Sequence, residues 1–451
     1  YTITGNLALL LIIESGCVLF GILRNITYRH LFLAQVIALI GTGLITIALS
    51  LLAYDLAKDR AAEVLGTALA IKMVAYILVG PVASAYAERL PRKKVLVTLD
   101  IVRATTAVFL PFVTEIWQIY VLIFVLQSAS AAFTPTFQAM IPDVLPDEKD
   151  YTNALSLARL AYDLENIVSP MLAGILLTVM SYHNLFVGTV IGFIGSALFV
   201  VSAKLPATQY KNVVGLIARI SQGAKIYFHT PRLKGLLALN LAIASASAMV
   251  IVNTVVLVQS TFKLTEHATT LAFGLFGLGS MLAAFTLPKV LEKFPDRTVM
   301  MVGTAVLVVG LLAGIGLTGY YGLLALWFIL GIGYSVSQTP TGRLIRKSAD
   351  AQNRTALFAT QFAFSHACWL ITYPLVGWLS SNMGTVYAFI PMAGLALVSL
   401  VIAMLVWKKE AELPVAHNHD DLPADHEHLR EHNKNGEHIH EFIYDDFHKP
   451  W

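Results

Sequence analysis

Charge is scarce in this chain. Asp, Glu, Lys and Arg make up 13% of its 451 residues and hydrophobic residues 57%, whereas a soluble domain carries about 25% charged residues. So little charge cannot clothe a water-exposed surface of this size, which excludes a soluble globular protein and places the chain in a membrane. Cysteine is nearly absent. Cys17 and Cys368 are the two present, too few for a disulfide framework, and neither has the CxxC partner of a thiolate metal or redox site. No GxxxxGK[ST] loop occurs, so ATP drive within this chain is not expected. No catalytic constellation stands out either. The expectation is a protein that is not an enzyme, carries no cofactor and has no nucleic-acid partner.

What the chain has is long apolar runs. About 20 apolar residues suffice to cross the hydrocarbon core as a helix, and twelve such spans can be read: 31–54, 64–84, 95–114, 117–138, 153–180, 183–203, 233–261, 268–288, 298–319, 321–339, 355–380 and 384–407. Cationic loops stay on the cytoplasmic side. With the start of span 1 inside, the inner links hold more than twenty Lys and Arg, and the outer links only Lys58, Arg60 and Lys263. An even number of spans then returns the C-terminus to the cytosol.

Two motifs recur at one spacing. "LPRKKV" (90–95) and "FPDRTV" (294–299) each follow the second span of a half, and Pro170 in "SPMLAG" and Pro374 in "YPLVGW" lie in spans 5 and 11; both pairs are 204 residues apart. Transporters are often built from such duplicated halves. The expected domains are an N-terminal six-helix half (22–203), a central cytoplasmic loop (204–232), a C-terminal six-helix half (233–408) and a disordered His- and acid-rich tail (409–451). Residues 1–21 are set apart as an uncertain apolar segment: they have no cationic leader and carry Glu14 in their middle.

These features resemble the major facilitator superfamily. Its loop pattern Gly-x-x-x-Asp-Arg-x-x-Arg-Arg/Lys is matched in "SAYAERLPRKK" at Arg89, Arg92 and Lys93, with Ser84 in place of the glycine and Glu88 in place of the aspartate. The Gly-Pro of its fifth helix is Ser169-Pro170 here. "ILRNITYRHLFLAQVIALIGTGL", together with the histidine-rich end, is similar to the nickel-resistance branch of these exporters. The resemblance implies an all-α membrane carrier whose halves alternately open a central cavity lined by spans 1, 4, 7 and 10. Those spans hold Gln35, Thr42 and Thr46, then Gln127, Ser128, Ser130, Thr134 and Gln138, then Asn240, Ser245, Ser247 and Asn253, then Tyr334, Ser335, Ser337 and Gln338.

Charges inside spans carry more information, because an ionised carboxylate at mid-bilayer costs about 3 kcal/mol even on the lenient scale. Asp163 and Glu165 in span 5 lie near that depth. Arg159, four residues before Asp163, shares its helix face, which makes an ion pair the bland reading for Asp163. Glu165 has no such neighbour on its helix and is the better candidate to hold a proton or metal. Lys72 in span 2 can neutralise either acid. Asp100 and Arg103 in span 3 are expected to join Glu88, Arg89, Arg92 and Lys93 in a gating network at the cytoplasmic face. His366 in span 11 is a candidate metal ligand, and Cys368 diverges from it on the helix. Asp55, His30, His183, His229 and His267 sit near span ends, where solvation is the default.

The tail raises its own question. Residues 410–451 hold eleven acids against three bases, a net −8 that leaves +11 for the rest. His417/His419, His426/His428 and His438/His440 form His-x-His pairs, with His432 between. A histidine-rich tract is a compositional signal for metal, and its affinity for divalent ions should rise through Co²⁺ and Ni²⁺ to Cu²⁺. The expected function is therefore export of a divalent transition metal, Ni²⁺ or Co²⁺, by proton antiport. The expected protein is a monomer, multi-pass in a bacterial cytoplasmic (inner) membrane, with metal ion, protons and membrane lipid as partners. The alternatives are an exporter of organic compounds or metal chelates, and a membrane-anchored metal buffer or sensor.

Overall fold

The computed structural model describes residues 21–87, 91–138, 140–147, 150–151, 154, 157–158, 161, 169, 172–204, 216–348, 353–409, 415–416, 433–434 and 437–440. Its long helices are α1 (Ile26–Ala57), α2 (Ala61–Ala87), α3 (Arg92–Phe109), α4 (Ile116–Gln138), α5 (His183–Ser202), α6 (Leu216–His229), α7 (Pro231–Val255), α8 (Glu266–Lys293), α9 (Asp296–Gly314), α10 (Tyr320–Gln338), α11 (Arg354–Met383) and α12 (Phe389–Val406). Backbone N–H and C=O groups find no water in lipid, so a spanning segment must satisfy them within itself, and a helix does so. Among the described residues ten segments are long and apolar enough to cross, the first of them, Ile26–Ala83, covering both α1 and α2. Span 5 lies largely outside the described residues. The result is an all-α membrane protein whose α1–α4, α5 and α7–α12 match the expected spans 1–4, 6 and 7–12.

Local signals set the ends of α1. Asn25 caps its start, its side chain accepting from the Tyr28 N–H at 3.1 Å. At the other end Lys58 takes a positive φ of 48°, which turns the chain into the short 3-10 helix Lys58–Arg60 before α2. Lys263, in the turn between α7 and α8, likewise has φ 56°. Such values are uncommon for a residue with a side chain, and the two lysines stand 205 residues apart, close to the spacing of the repeated motifs.

Two compact units emerge, Tyr1–Val213 with Val252–Gly277, and Val214–Ile251 with Leu278–Trp451. In the first, α1 packs along α5, α2 along α4, and α3 against both α4 and α5. In the second, α9 packs against α10 and α12, and α6 lies along α11. Lipid tails are as apolar as leucine, so helices here associate by close packing between small residues. The Thr189 hydroxyl donates to the Gly41 carbonyl at 2.9 Å. A Cβ added at Gly192 would lie 3.2 Å from the Gly41 Cα and 3.0 Å from the Ile37 carbonyl oxygen. In the second unit a Cβ at Gly303 would meet the Ser337 Oγ at 2.6 Å and the Ser337 backbone N at 2.8 Å.

Within the segment expected to be disordered, short strands β1 (Val415–Ala416), β2 (Asn433–Lys434) and β3 (Glu437–His440) pair antiparallel in the order β1-β3-β2. Val415 stands opposite His440 and Asn433 opposite His438.

Candidate functional site

Polar groups inside the spans divide by chemistry. Most hydroxyls turn back on their own helix: Thr42 to Ala38 O at 2.9 Å, Ser130 to Leu126 O at 3.1 Å, and Ser245 and Ser247 to Leu241 O and Ile243 O at 2.8 Å each. Such bonds satisfy the hydroxyl locally and leave it little to offer a solute. The carboxamides behave differently. Gln35 on α1 and Gln127 on α4, in the first unit, are 5% and 4% exposed, and their Oε1 atoms have no partner among the described residues. In the second unit, Asn240 on α7 is 3% exposed and its Nδ2 is likewise unpartnered. A buried amide left unsatisfied costs about 1–3 kcal/mol, which a bound solute or water can offset. These three amides, with the Ser128 hydroxyl on α4, which is also unpartnered among the described residues, are therefore the most solute-ready of the polar residues expected along the path.

The charged candidates are distributed unevenly. Arg159, Asp163 and Glu165 lie outside the described residues, as do Glu88 and Arg89 of the loop. Lys72 is half-buried on α2, its Nζ 5.8 Å from the centre of the Tyr76 ring. Arg92 is buried, and the Lys93 ammonium donates to the Ala203 carbonyl at 2.8 Å, capping the C-terminal end of α5.

Asp100 and Arg103 lie deeper along α3, Asp100 about 12 Å beyond Arg92 at 1.5 Å per residue. Their side chains are 0% and 4% exposed and are ion-paired through Oδ1 and Nη2. Ser196 of α5 donates to Asp100 Oδ2 at 2.7 Å. The Arg103 guanidinium lies between two rings, 4.2 Å from the centre of Phe133 and 4.5 Å from that of Phe193. Such a position over aromatic faces replaces part of the cation's lost hydration. Three helices thus close around one ion pair, which serves to brace α3 against α4 and α5.

His366 is half-buried on α11, its ring tilted by 32° to that of Phe362 at 3.9 Å between ring centres, with its Nδ1 2.7 Å from the Phe362 carbonyl oxygen. That bond puts the proton on Nδ1 in the neutral ring. Cys368 is buried with its Sγ 4.0 Å from Leu237 O. Among the described residues no three His, Cys, Asp or Glu side chains converge to hold a metal ion. Of the tail histidines, His438 and His440 fall at alternate positions of β3, while His417, His419, His426, His428 and His432 lie outside the described residues.

Two clusters escaped the sequence reading. Asp296, 3% exposed at the start of α9, pairs with Lys347 at 3.0 Å and Arg343 at 3.4 Å. Beside it the Arg297 guanidinium donates to the carbonyl of Trp407, which follows α12. The signal for both was the 204-residue repeat, which sets Asp296-Arg297 against Arg92-Lys93. The second cluster gathers around Asp55. Tyr182 donates its hydroxyl to Asp55 Oδ2, and the Lys58 ammonium lies 3.5 Å from Oδ1. Ser260, between α7 and α8, donates to the Tyr54 hydroxyl at 3.2 Å or to Asp59 Oδ1 at 3.3 Å. Solvation alone does not describe Asp55, because a tyrosine 127 residues distant in sequence holds it.

Known proteins share this architecture. The model of the Major Facilitator Superfamily matches over residues 31–256 and again over 236–437. An uncharacterized MFS-type transporter of Bacillus subtilis, YfiS, is 23% identical over 356 residues, covering 74% of this chain and 82% of that protein. Macrolide efflux protein A of Streptococcus pyogenes is 23% identical over 187 residues, 40% of this chain and 45% of the relative. Among solved structures, a mutant form of the nucleoside transporter NupG superimposes with a TM-score of 0.71 over 85% of this chain and all 100% of its own, at 14% identity. A bacterial homolog of the human lysosomal transporter Spinster, inward-facing and occupied, gives a TM-score of 0.69 over 85% of this chain and 96% of its own, at 12% identity. Duplicated helical halves, buried carboxamides and a family match running from α1 into the tail lead to one assignment: the chain belongs to the Major Facilitator Superfamily and is a multi-pass membrane transporter.

Proposed function

We propose that this transporter exports a divalent transition metal, nickel or cobalt, from the cytosol in exchange for protons. The histidine tail collects ions at the inner mouth, and the protein works as a monomer in a bacterial cytoplasmic membrane. The observation that carries the reading is the tail itself, with seven histidines between His417 and His440 on a chain that is 57% hydrophobic. Ions held by a tethered arm are concentrated beside the cavity they must enter, and a cytosolic arm suits expulsion better than uptake. Glu165 is the group proposed to exchange a proton for the metal, with Lys72, Asp163 and Arg159 setting the charge around it.

A second reading, export of organic compounds, has its own support. One relative is named a macrolide efflux protein, and the solute-ready groups Gln35, Gln127 and Asn240 are neutral. Retention of radioactive nickel and of a labelled macrolide, in cells with and without the protein, separates the two. Lower nickel retention with the protein present is expected; unchanged nickel with lowered macrolide transfers the assignment to the second reading. In inverted vesicles under an imposed pH gradient, Glu165→Gln should lose gradient-driven nickel transport while the tail binds nickel as before. Transport at the wild-type rate in that variant refutes the role given to Glu165.

A further inference from the structure

At one end of the second unit, cations tie several helix ends together. Arg343, on the short helix Thr341–Lys347, donates to the Leu291 carbonyl at 3.2 Å and lies 3.4 Å from Asp296. It thereby joins the end of α8 to the start of α9. Lys347 pairs with Asp296 at 3.0 Å, and Arg232, at the start of α7, donates to Ser348 Oγ at 2.8 Å. The chain leaves α12 at this same end. Trp407 is fully buried, a Cβ added at Gly235 of α7 would lie 2.6 Å from its Cβ, and Arg297 holds its carbonyl. Everything after Trp407 therefore starts from a fixed point.

A second set of cations at this end is exposed. Lys234, Lys289, Lys293, Arg346, Lys408 and Lys409 stand against one exposed acid, Glu292. Among the described residues none of the six enters an ion pair. So many like charges on neighbouring helix ends repel one another and draw an anion. The tail that begins there carries eleven acids against three bases over 410–451, a net −8. At coil dimensions the chain from Lys409 to Asp421 spans about 20 Å, and packed helix axes are about 8–10 Å apart. Asp420 and Asp421 can therefore reach each of these helix ends. We propose that the acidic tail docks on this cationic face of the second unit, and that metal taken up by the tail releases it. Exposed ion pairs are individually weak, but a tether holds the tail at an effective concentration in the millimolar range, where several weak contacts together suffice. Phosphates of anionic lipid offer the same charge without the tether. Each divalent ion bound removes two negative charges, so one ion on each of the three His-x-His pairs leaves the tail at −2. The empty arm covers the ends of α7 to α10, and the loaded arm uncovers them. The release, though not the docking, rests on the metal-binding reading of the tail.

The test is amine-to-amine cross-linking of the full-length protein in nanodiscs of zwitterionic lipid, one copy per disc, mapped by mass spectrometry. Lys434 and Lys449 report the tail, and Lys234, Lys289 and Lys293 the face. The link between Lys289 and Lys293, one turn apart on α8, is the internal standard. Tail-to-face links should form at about 0.1 M salt and fall about fivefold at about 1 M, as the Debye length shrinks from about 10 Å to about 3 Å. At the lower salt, nickel bound by the protein, counted by dialysis, should lower them as far with the standard unchanged. Arg346→Glu, at a site the reagent does not join, should lower them severalfold, and so should Asp420→Asn with Asp421→Asn and Asp425→Asn. Tail-to-face links missing from zwitterionic discs overturn the docking and leave the face to lipid phosphate. Links that survive 1 M salt, or that Arg346→Glu leaves at full yield, overturn it as well. Links undiminished by bound nickel overturn the release. Nickel retention that ignores the protein would instead remove the export reading and leave the links and their salt dependence in place.

Discussion

In the first half Lys93 reaches from the start of α3 to the carbonyl of Ala203, just past α5; in the second, 204 residues on, Arg297 reaches from the start of α9 to the carbonyl of Trp407, just past α12. A cation at the end of a helix satisfies a carbonyl that the helix leaves unpaired and complements its dipole. Duplication has kept that cap, and with it the packing of α3 on α4 and α5 and of α9 on α10 and α12. In-span charge has not been kept. At the same offset Lys72, Asp100, Arg103, Asp163 and Glu165 correspond to Phe276, Thr304, Leu307, Ala367 and Trp369. Where the first half buries an ion pair between Phe133 and Phe193, the second has Thr304 and Ser337 sharing a hydrogen bond of 3.2 Å. Scaffold and charge have separated: α3 and α9 are held alike, but the acids and bases compared here lie in the first half, while the second carries His366 and Cys368.

The sharpest way to break this comparison is at the paired layers. Arg103→Ala should destabilise the protein by about 3–5 kcal/mol, because Asp100 is left as an uncompensated buried charge. Thr304→Ala at the equivalent layer should cost about 1 kcal/mol, the scale of one neutral hydrogen bond. Thermal unfolding in detergent reads both, and equal losses would show the two layers to be energetically alike. Asp100→Leu with Arg103→Met should recover much of the loss, since an apolar replacement of both partners removes the unpaired charge.

Helix contact gives the next effect. Gly303→Ala drives a Cβ to 2.8 Å from a backbone nitrogen, whereas Gly192→Ala meets its nearest atom at 3.0 Å. The first should therefore lose more, within the roughly 1–3 kcal/mol of an overpacked core. A reversed order in the same unfolding assay would mean that α9 can shift from α10 more easily than α5 from α1. The smallest effect belongs to the caps. Lys93→Met and Arg297→Met should each cost about 0.3–1 kcal/mol, and a clear inequality between them would break the symmetry argued from the carbonyls of Ala203 and Trp407.

How much of this could be read in advance depends on the range of the interaction. Helices in lipid need only an apolar run of sufficient length, a local property, so α1–α4, α5 and α7–α12 fall where hydropathy puts them. The repeat was legible because "LPRKKV" and "FPDRTV" keep their spacing. Asp100 with Arg103 was singled out because two charges inside a span are costly, yet its partners were not visible: Ser196 is 96 residues away and the two phenylalanines look like ordinary lipid-facing residues in sequence. Asp55 was passed over for the same reason, since nothing near it in the chain announces Tyr182, 127 residues away.

The sequence by itself determined membrane residence, the places of the described spans, the repeated motifs and the histidine tail, each a matter of composition or spacing along the chain. Only the tertiary structure decided which polar groups are left for a solute and which charges meet. Hydroxyls and carboxamides look equally available in a list of residues; packing lets Thr42, Ser130, Ser245 and Ser247 turn back on their own helices and leaves Gln35, Gln127, Asn240 and Ser128 with an unpartnered atom among the described residues. Burial and long-range pairing set the energy of a polar atom, and both depend on neighbours that the chain brings together only when it folds.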